Sequence, residues 1–162
     1  MRKIAIFADV QNIYYTTRQA YGRQFNYTEL WRRVSQQGEI VSAVAYAIDR
    51  GDAGQLRFQS ALKSIGFTVR LKPYIQRSDG SAKGDWDVGI AIDVLGIADE
   101  VDKVVLLSGD GDFDLLLQAV KRDYVRNGRA VTTEVYGVPS LTADSLIDSA
   151  NHFHPIDEDF LL

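Results

Sequence analysis

The chain has 162 residues, 46% of them hydrophobic and 25% charged, which is ordinary for one folded domain with a buried core. It contains no cysteine, which excludes disulfides, thiolate metal sites and cysteine nucleophiles, and no apolar run approaches the ~18 residues of a membrane span. The net charge of −4 argues against a nucleic-acid partner unless the acidic residues are clustered. Because the start of the chain shows no signal-peptide pattern, we expect a cytoplasmic protein without a membrane partner.

Strand-like and helix-like segments alternate along the whole chain. Apolar runs predict strands at residues 3–9, 40–49, 67–74, 103–108 and 130–136. Helical patterns are predicted from about Asn12, over 28–37, from a cap at Asp52 to Gly66, and over 85–98, 112–127 and 140–150. This alternation implies right-handed crossovers and a parallel sheet covered on both faces. We therefore predict one three-layer α/β/α domain over residues 1–162, with a polar, mobile loop at 75–84.

Four aspartates are predicted to meet at one edge of this sheet. Asp9 closes the first strand, and Asp87 begins the helix that follows the loop. Asp110 and Asp112 stand in the turn directly after the fourth strand. Because parallel strands all end at the same edge, these carboxylates ring one crevice if the first and fourth strands are neighbours. Asn12, at the start of the first helix, would add an amide group to the crevice.

A ring of carboxylate oxygens is typical of a site for Mg²⁺ or Mn²⁺. A cation held there favours hydrolysis of phosphate esters by an activated water, without a side-chain nucleophile. Structural roles are open for the same residues: Asp112 as a helix N-cap, Asp87 as a first-turn carboxylate, and Asp85 as a cap. Asp93 is placed outside the cluster because it lies roughly 9 Å further along the helix than Asp87.

Three motifs contain these acids, namely residues 6–12 (Ile-Phe-Ala-Asp-Val-Gln-Asn), 83–93 (Lys-Gly-Asp-Trp-Asp-Val-Gly-Ile-Ala-Ile-Asp) and 108–113 (Ser-Gly-Asp-Gly-Asp-Phe). Together they resemble the NYN domain family, in its LabA-like bacterial branch, which belongs to the PIN-like nucleases. The late segment 140–153 is similar to the closing helix of that family. The resemblance spans nearly the whole chain.

The resemblance implies a PIN-like sheet with strand order 3-2-1-4-5, which makes the first and fourth strands neighbours. It also implies a ribonuclease that depends on Mg²⁺ or Mn²⁺, with Asn12 in the site and with four metal ligands, namely Asp9, Asp87, Asp110 and Asp112. The family commonly places the helix acid three residues after the lysine, whereas Asp87 lies four after Lys83. Asp85 therefore stays open as a residue that takes part of that role.

The expected partner is single-stranded RNA, while protein partners and a homodimer stay open. Without the four candidate ligands the net charge is about zero, so the remaining surface need not repel RNA. The expected basic contacts are Arg77, Lys83, Arg50 and Arg18, and the residues expected to stack on unpaired bases are Tyr14, Tyr15, Tyr74 and Trp86.

Other classes of site fit the motifs less well. A haloacid-dehalogenase-like phosphatase needs a second aspartate at position 11, which is Gln11, and a calcium-binding EF-hand needs a glycine where Leu115 stands. A TOPRIM-like domain expects a glutamate at the end of its first strand and is a weak rival. The serious alternative is a PIN-like regulatory module that binds RNA or a protein with little or no turnover.

Overall fold

The structure is a computed structural model that describes residues 1–73, 75, 76, 82, 83 and 85–162. Its strands are β1 (Lys3–Asp9), β2 (Glu39–Asp49), β3 (Thr68–Pro73), β4 (Ile75–Gln76), β5 (Ala82–Lys83), β6 (Lys103–Leu107), β7 (Val125–Arg126), β8 (Arg129–Ala130), β9 (Thr132–Gly137) and β10 (His152–Pro155). Six of them form one parallel sheet in the order β10-β9-β6-β1-β2-β3. The predicted parallel fold and the order 3-2-1-4-5 of its five strands are confirmed, and β10 adds a sixth strand.

Helices cover both faces of the sheet. They are α1 (Val10–Tyr21), α2 (Tyr27–Ser35), α3 (Ala53–Ile65), α4 (Asp87–Ile97), α5 (Asp114–Asp123) and α6 (Asp144–Ser149). The first three pack on one face through apolar side chains such as Ile13, Leu30 and Leu62, which are at most 1% exposed. The last three pack on the other face, where Ile90 and Leu117 are fully buried. The buried core therefore consists of two layers, one on each side of the sheet.

The second half of the chain departs from the prediction in two places. The helix predicted over 112–127 begins as a 3-10 turn at Gly111–Phe113, continues as α5 and ends at Asp123. Its predicted end instead forms the hairpin of β7 and β8, where Asn127 and Gly128 both have positive φ, at 53° and 77°. An Asn-Gly pair favours this two-residue hairpin turn, and that local signal outweighs the helical pattern.

The closing segment is also shorter in helix than predicted. The structure has a 3-10 turn at Pro139–Leu141 and then α6, instead of one helix over 140–150. Residues 152–155, His-Phe-His-Pro, pair with β9 as strand β10. This strand was missed because it is short and ends in proline, a residue that sheets tolerate at an edge.

The segment predicted to be a loop at 75–84 contains paired backbone. Ile75 pairs with Lys83 and Gln76 with Ala82, antiparallel, so β4 and β5 form a short hairpin. Arg77 and Tyr74, which are expected to contact RNA, are not among the described residues, and the side chain of Lys83 is not described either. None of the described helices is long and apolar enough to cross a membrane.

Candidate active site

Asp9 and Ser108 lie side by side where two neighbouring strands end. The register pairs Ala8 of β1 with Leu107 of β6, so the residue that follows each reaches the edge of the sheet at the same place. The Ser108 hydroxyl donates a hydrogen bond to Asp9 Oδ2 over 3.0 Å, and both side chains are buried. The predicted approach of the first and fourth strands is the direct reason for this contact.

The turn after β6 is held by side chains and by a close backbone approach. Ser108 Oγ accepts a hydrogen bond from the Asp110 N–H at 3.1 Å, and Asn12 Oδ1 accepts one from the Gly109 N–H at 2.8 Å. A Cβ at Gly109 would lie 2.6 Å from the carbonyl oxygen of Leu141, so this position needs glycine. Asn12 thus stands beside the site and orients its turn through its amide oxygen.

The helix-capping role falls to Asp110 and not to Asp112. Asp110 Oδ1 accepts a hydrogen bond from the Asp112 N–H at 2.9 Å at the start of the 3-10 turn. Asp112 lies inside this turn and its side chain is exposed. The N-cap role left open for Asp112 is therefore not borne out, because the 3-10 turn begins at Gly111 and its N-cap residue is Asp110.

Three carboxylates approach one another at this edge. One oxygen each of Asp87, Asp110 and Asp112 lies within 4.8 Å of the others. Burial raises the pKa of Asp87, and the charges of Asp110, Asp85 and Asp9 raise it further, to about 7. A carboxyl group with such a pKa is surrounded by negative charge that a proton or a cation relieves.

Asp9 lies deeper than this trio but belongs to the same electrostatic site. Burial raises its pKa to about 6 although hydrogen bonds from Ser108 and the Asn12 backbone oppose the shift. The charges of Asp110 and Asp85 also raise the pKa of Asp9. The structure therefore brings the four predicted acids to one edge, with carboxylate oxygens of three of them within 4.8 Å of one another and with Asp9 more deeply buried.

Two neighbouring acids have separate roles. Asp85 is not the N-cap residue of α4, because that helix begins at Asp87 and Trp86 occupies the cap position. Asp85 Oδ1 still accepts a hydrogen bond from the Asp87 N–H at 3.3 Å, and its charge raises the pKa of Asp9 and Asp87. Asp93 accepts a hydrogen bond from the Tyr46 hydroxyl at 2.7 Å and pairs with Arg70. The Asp93 carboxylate is therefore engaged by Tyr46 and Arg70 on the side of α4 and lies outside the acid cluster, as expected.

Trp86 is not placed to stack on a base. Its side chain is 8% exposed, its indole N–H donates to the Ala47 carbonyl at 2.9 Å, and Lys72 Nζ lies 4.4 Å from its ring centroid. The ring also packs on Tyr46, with centroids 5.3 Å apart. The expectation of base stacking by Trp86 is therefore corrected: this residue anchors the start of α4 in the core and so positions Asp87.

The other aromatic candidates do reach the surface. Tyr14 and Tyr15 are each 45% exposed on α1, and their rings contact each other edge to face. Arg18 donates to the Tyr14 hydroxyl, and Arg50 donates to the Tyr15 hydroxyl, each over 3.2 Å. The hydrogen bond from Arg50 lowers the pKa of Tyr15. These two tyrosines and two arginines form a surface group beside the beginning of α1.

Ser108 is the site residue that sequence reasoning did not single out. A serine directly after a buried strand is a common turn residue, so its position alone carries no specific signal. Its role depends on Asp9, which is 99 residues away in the sequence. The long-range strand pairing decides that the two side chains meet.

The donor set fits a divalent cation. Three carboxylates on α4 and on the turn after β6 offer hard oxygen ligands on backbone that is fixed by hydrogen bonds and helix packing. Mg²⁺ and Mn²⁺ favour such oxygen ligands, usually with waters completing the shell. Asp87, Asp110 and Asp112 would hold the ion, and Asp9 would add negative charge from behind.

The sequence matches the NYN domain family over residues 3–157. It is 32% identical over 127 residues to the low amplitude and bright protein LabA of Synechococcus elongatus. The aligned region covers 74% of this chain and 68% of that protein. The crystal structure of a protein of unknown function from Vibrio parahaemolyticus is 53% identical and has a TM-score of 0.91, covering 99% of this chain and 96% of that one. As its motifs predict, the chain belongs to the NYN domain family, in the PIN-like nuclease superfamily, and is LabA-like.

Proposed function

We propose that this protein is a ribonuclease that hydrolyses phosphodiester bonds of single-stranded RNA with the help of Mg²⁺ or Mn²⁺. The observation that carries the proposal is the approach of Asp87, Asp110 and Asp112 to within 4.8 Å at the edge of the sheet. Family membership supports the nuclease class. The cation requirement, the RNA substrate and a cytoplasmic location are parts of the proposal.

Each acid has a distinct task in this proposal. Asp87, Asp110 and Asp112 bind the cation, and Asp110 also fixes the turn through its hydrogen bond from the Asp112 N–H. Asp9 lies behind them, where its charge strengthens the pull on a cation. When bound, the cation would lower the pKa of an attacking water and neutralise charge on the phosphate.

The strand is proposed to approach across the surface group beside α1. Arg50, Arg77 and Lys83 supply positive charge for phosphates, and Tyr14 supplies an exposed ring for a base. Arg50 is held in place by its hydrogen bond to Tyr15. The positive charge of Arg50 beside the negative acid cluster would leave the phosphate facing the cation and not the bare acids.

The test is cleavage of end-labelled single-stranded RNA with Mn²⁺, with Mg²⁺ and with a chelator. We expect cleavage by the wild type with either cation, none with chelator, and losses on the order of 100-fold or more for Asp110→Asn and Asp9→Asn. Asp114→Asn is the matched control, because Asp114 follows the same turn but its Oδ1 accepts a hydrogen bond from the Leu115 N–H.

Two results would contradict the proposal in different ways. Equal cleavage by the wild type, Asp110→Asn and Asp9→Asn would exclude the acid cluster as the active site. Binding of RNA and of Mn²⁺ without any cleavage would instead favour the regulatory module that the sequence left open. A parallel DNA substrate of the same sequence tests the assignment to RNA.

A further inference from the structure

A cavity lies next to the acid cluster. A cavity of about 690 Å³ opens between α1, α2, α3 and the end of β2. Its buried wall includes Phe25, Tyr27 and Ile48, and its exposed rim includes Tyr14 and Arg50. This volume lies within the ~300–1,000 Å³ that is typical of small-molecule sites.

The cavity borders the edge where the four aspartates meet. Val10 and Gln11 line it and directly follow Asp9 in the chain. Ala47 and Ile48 also line it, and they follow Tyr46, the register partner of Asp9 on β2. A strand whose phosphate lies at the acids therefore has the cavity within reach of a neighbouring nucleotide.

The chemistry of the wall suits a flat aromatic ligand. Three rings of the wall, Phe25, Tyr27 and Phe58, are packed against one another, with Tyr27 centroids 4.9 Å from Phe25 and 5.9 Å from Phe58. Tyr14 and Tyr15 present further ring surface at the rim. Rings stack on any nucleobase, because every base has a π-face.

Hydrogen bonds hold the rim of the cavity in place, and the rim carries the positively charged side chain of Arg50. Gln55 accepts a hydrogen bond from the Arg50 N–H at 2.6 Å and donates to the Ile48 carbonyl, which fixes the chain between β2 and α3. The Arg50 guanidinium donates to the Tyr15 hydroxyl at 3.2 Å. Arg57 also lines the cavity. Positive charge at the mouth complements the phosphate that accompanies each base.

We propose that this cavity binds one unpaired nucleobase of the RNA strand whose phosphodiester lies at the aspartate cluster. The inference rests on the proposed function, because it names a substrate subsite of the same reaction. It gives the enzyme a physical reason to prefer single strands, since a base paired in a duplex cannot enter the cavity.

The test fills the cavity. Ala61 lines it and is exposed on α3, so Ala61→Trp is expected to place an indole in the opening without disturbing the buried wall. Ser60→Trp is the matched control, because Ser60 is the adjacent exposed residue of α3 and is not among the described residues that line the cavity. Thermal melting followed by circular dichroism checks that both variants are folded, and Tyr14→Ala provides a second variant on the opposite rim.

Binding is measured by fluorescence anisotropy in chelator, so that cleavage does not interfere. The probes are a labelled RNA of about ten nucleotides, the same ribose-phosphate chain without bases, and adenosine 5′-monophosphate as a competitor. We expect Ala61→Trp to weaken RNA binding about tenfold or more, Tyr14→Ala to weaken it as well, and Ser60→Trp to leave it within about twofold. The chain without bases should bind more weakly than RNA and equally to the wild type and Ala61→Trp.

Three results would overturn the inference: equal RNA binding by the two tryptophan variants, equal binding of the chains with and without bases, or the monophosphate binding as tightly as the RNA. The last result would assign the cavity to a free nucleotide instead of a strand. Cleavage with Mn²⁺ is measured in parallel. If RNA binds through the cavity but is not cleaved, the proposed nuclease activity fails and base binding by the cavity stands. If Ala61→Trp binds and cleaves RNA like the wild type, base binding by the cavity fails and the proposed nuclease activity stands.

Discussion

Ser108 Oγ lies 3.0 Å from Asp9 Oδ2 and joins the carboxyl ends of β1 and β6 in the interior of the site. The same hydroxyl oxygen accepts a hydrogen bond from the Asp110 N–H at 3.1 Å. One side chain therefore connects the deepest acid to the turn that carries two others. This arrangement makes the ionisation of Asp9 and the position of Asp110 depend on each other.

Replacement of Ser108 tests that connection. In Ser108→Ala the hydroxyl no longer stabilises the ionised Asp9, so we expect the pKa of Asp9 to rise above its value of about 6. The acidic limb of the pH–rate profile with Mn²⁺ should move to higher pH, and unfolding in urea should cost about 1–3 kcal/mol less. Ser108→Thr, which keeps the hydroxyl, is the control; an unmoved acidic limb in Ser108→Ala would contradict the proposed coupling.

The raised pKa values of Asp9 and Asp87 predict how the metal-free protein responds to pH. Both groups have an ordinary pKa of 3.8, and in the folded state it rises to about 6 and about 7. The folded state therefore holds protons that the unfolded state has lost, so this contribution to stability falls as pH rises from about 3.8 to about 7. Thermal melting in chelator should show a lower Tm at pH 7.5 than at pH 5.

Added cation should reverse this trend. Mn²⁺ binds the ionised carboxylates, so the increase in Tm on adding Mn²⁺ should be larger at pH 7.5 than at pH 5. A double variant, Asp9→Asn with Asp87→Asn, should show a flatter Tm profile over this pH range and a smaller response to Mn²⁺. A wild-type Tm that is unaffected by Mn²⁺ at pH 7.5 would speak against a cation site at these aspartates.

A buried ion pair far from the acid cluster gives stability the opposite dependence on pH. Lys103 Nζ lies 2.6 Å from Glu134 Oε2, and His154 Nε2 lies 2.7 Å from the other carboxylate oxygen. Burial alone would raise the pKa of Glu134, but its hydrogen bonds to His154 and Lys103 together hold it at about 2. The ionised Glu134 therefore stabilises the fold fully above pH 4.5, which is the ordinary pKa of a glutamate. This stabilisation is lost as the pH falls towards 2.

Removal of the lysine should therefore be costly at neutral pH. Lys103→Met leaves the buried Glu134 without its cation, and we expect a loss of about 3–5 kcal/mol in the free energy of unfolding measured with urea. Lys63→Met on the exposed surface of α3 is the control and should change little. The loss should shrink at pH values below 4, and a constant loss across this range would argue against an electrostatic origin.

Salt dependence separates phosphate contacts from incidental surface charge. If Arg50, Arg77 and Lys83 contact phosphates, each alanine variant should weaken RNA binding and reduce the slope of log K against log salt by about 0.7. Arg122→Ala is a suitable control, because Arg122 pairs with Asp123 at the end of α5, away from the carboxyl edge of the sheet. Unchanged slopes would remove these residues from the proposed RNA path.

Local sequence patterns were sufficient for the main architecture. Alternation of apolar strands with helices gave the parallel sheet, and the positions of Asp9 and Asp110 at strand ends placed both at one edge without any side-chain coordinates. They were sufficient because strand direction and crossover handedness are fixed by general rules for parallel sheets. The signal of the Asn127-Gly128 turn is equally local, but the helical pattern around it predicts a continued helix where the structure has a hairpin.

Tertiary structure alone decided which polar and aromatic side chains are available. The sequence predicts that Trp86 is an exposed ring next to an acid. In the structure its ring is buried against Tyr46, and its indole N–H donates a hydrogen bond to the Ala47 carbonyl. The contact between Ser108 and Asp9 and the cavity beside α1 depend on residues far apart in the chain, which no local pattern encodes. The sequence by itself therefore determined the four acids and their edge, whereas long-range packing determined how they ionise, what orients them and what lies beside them.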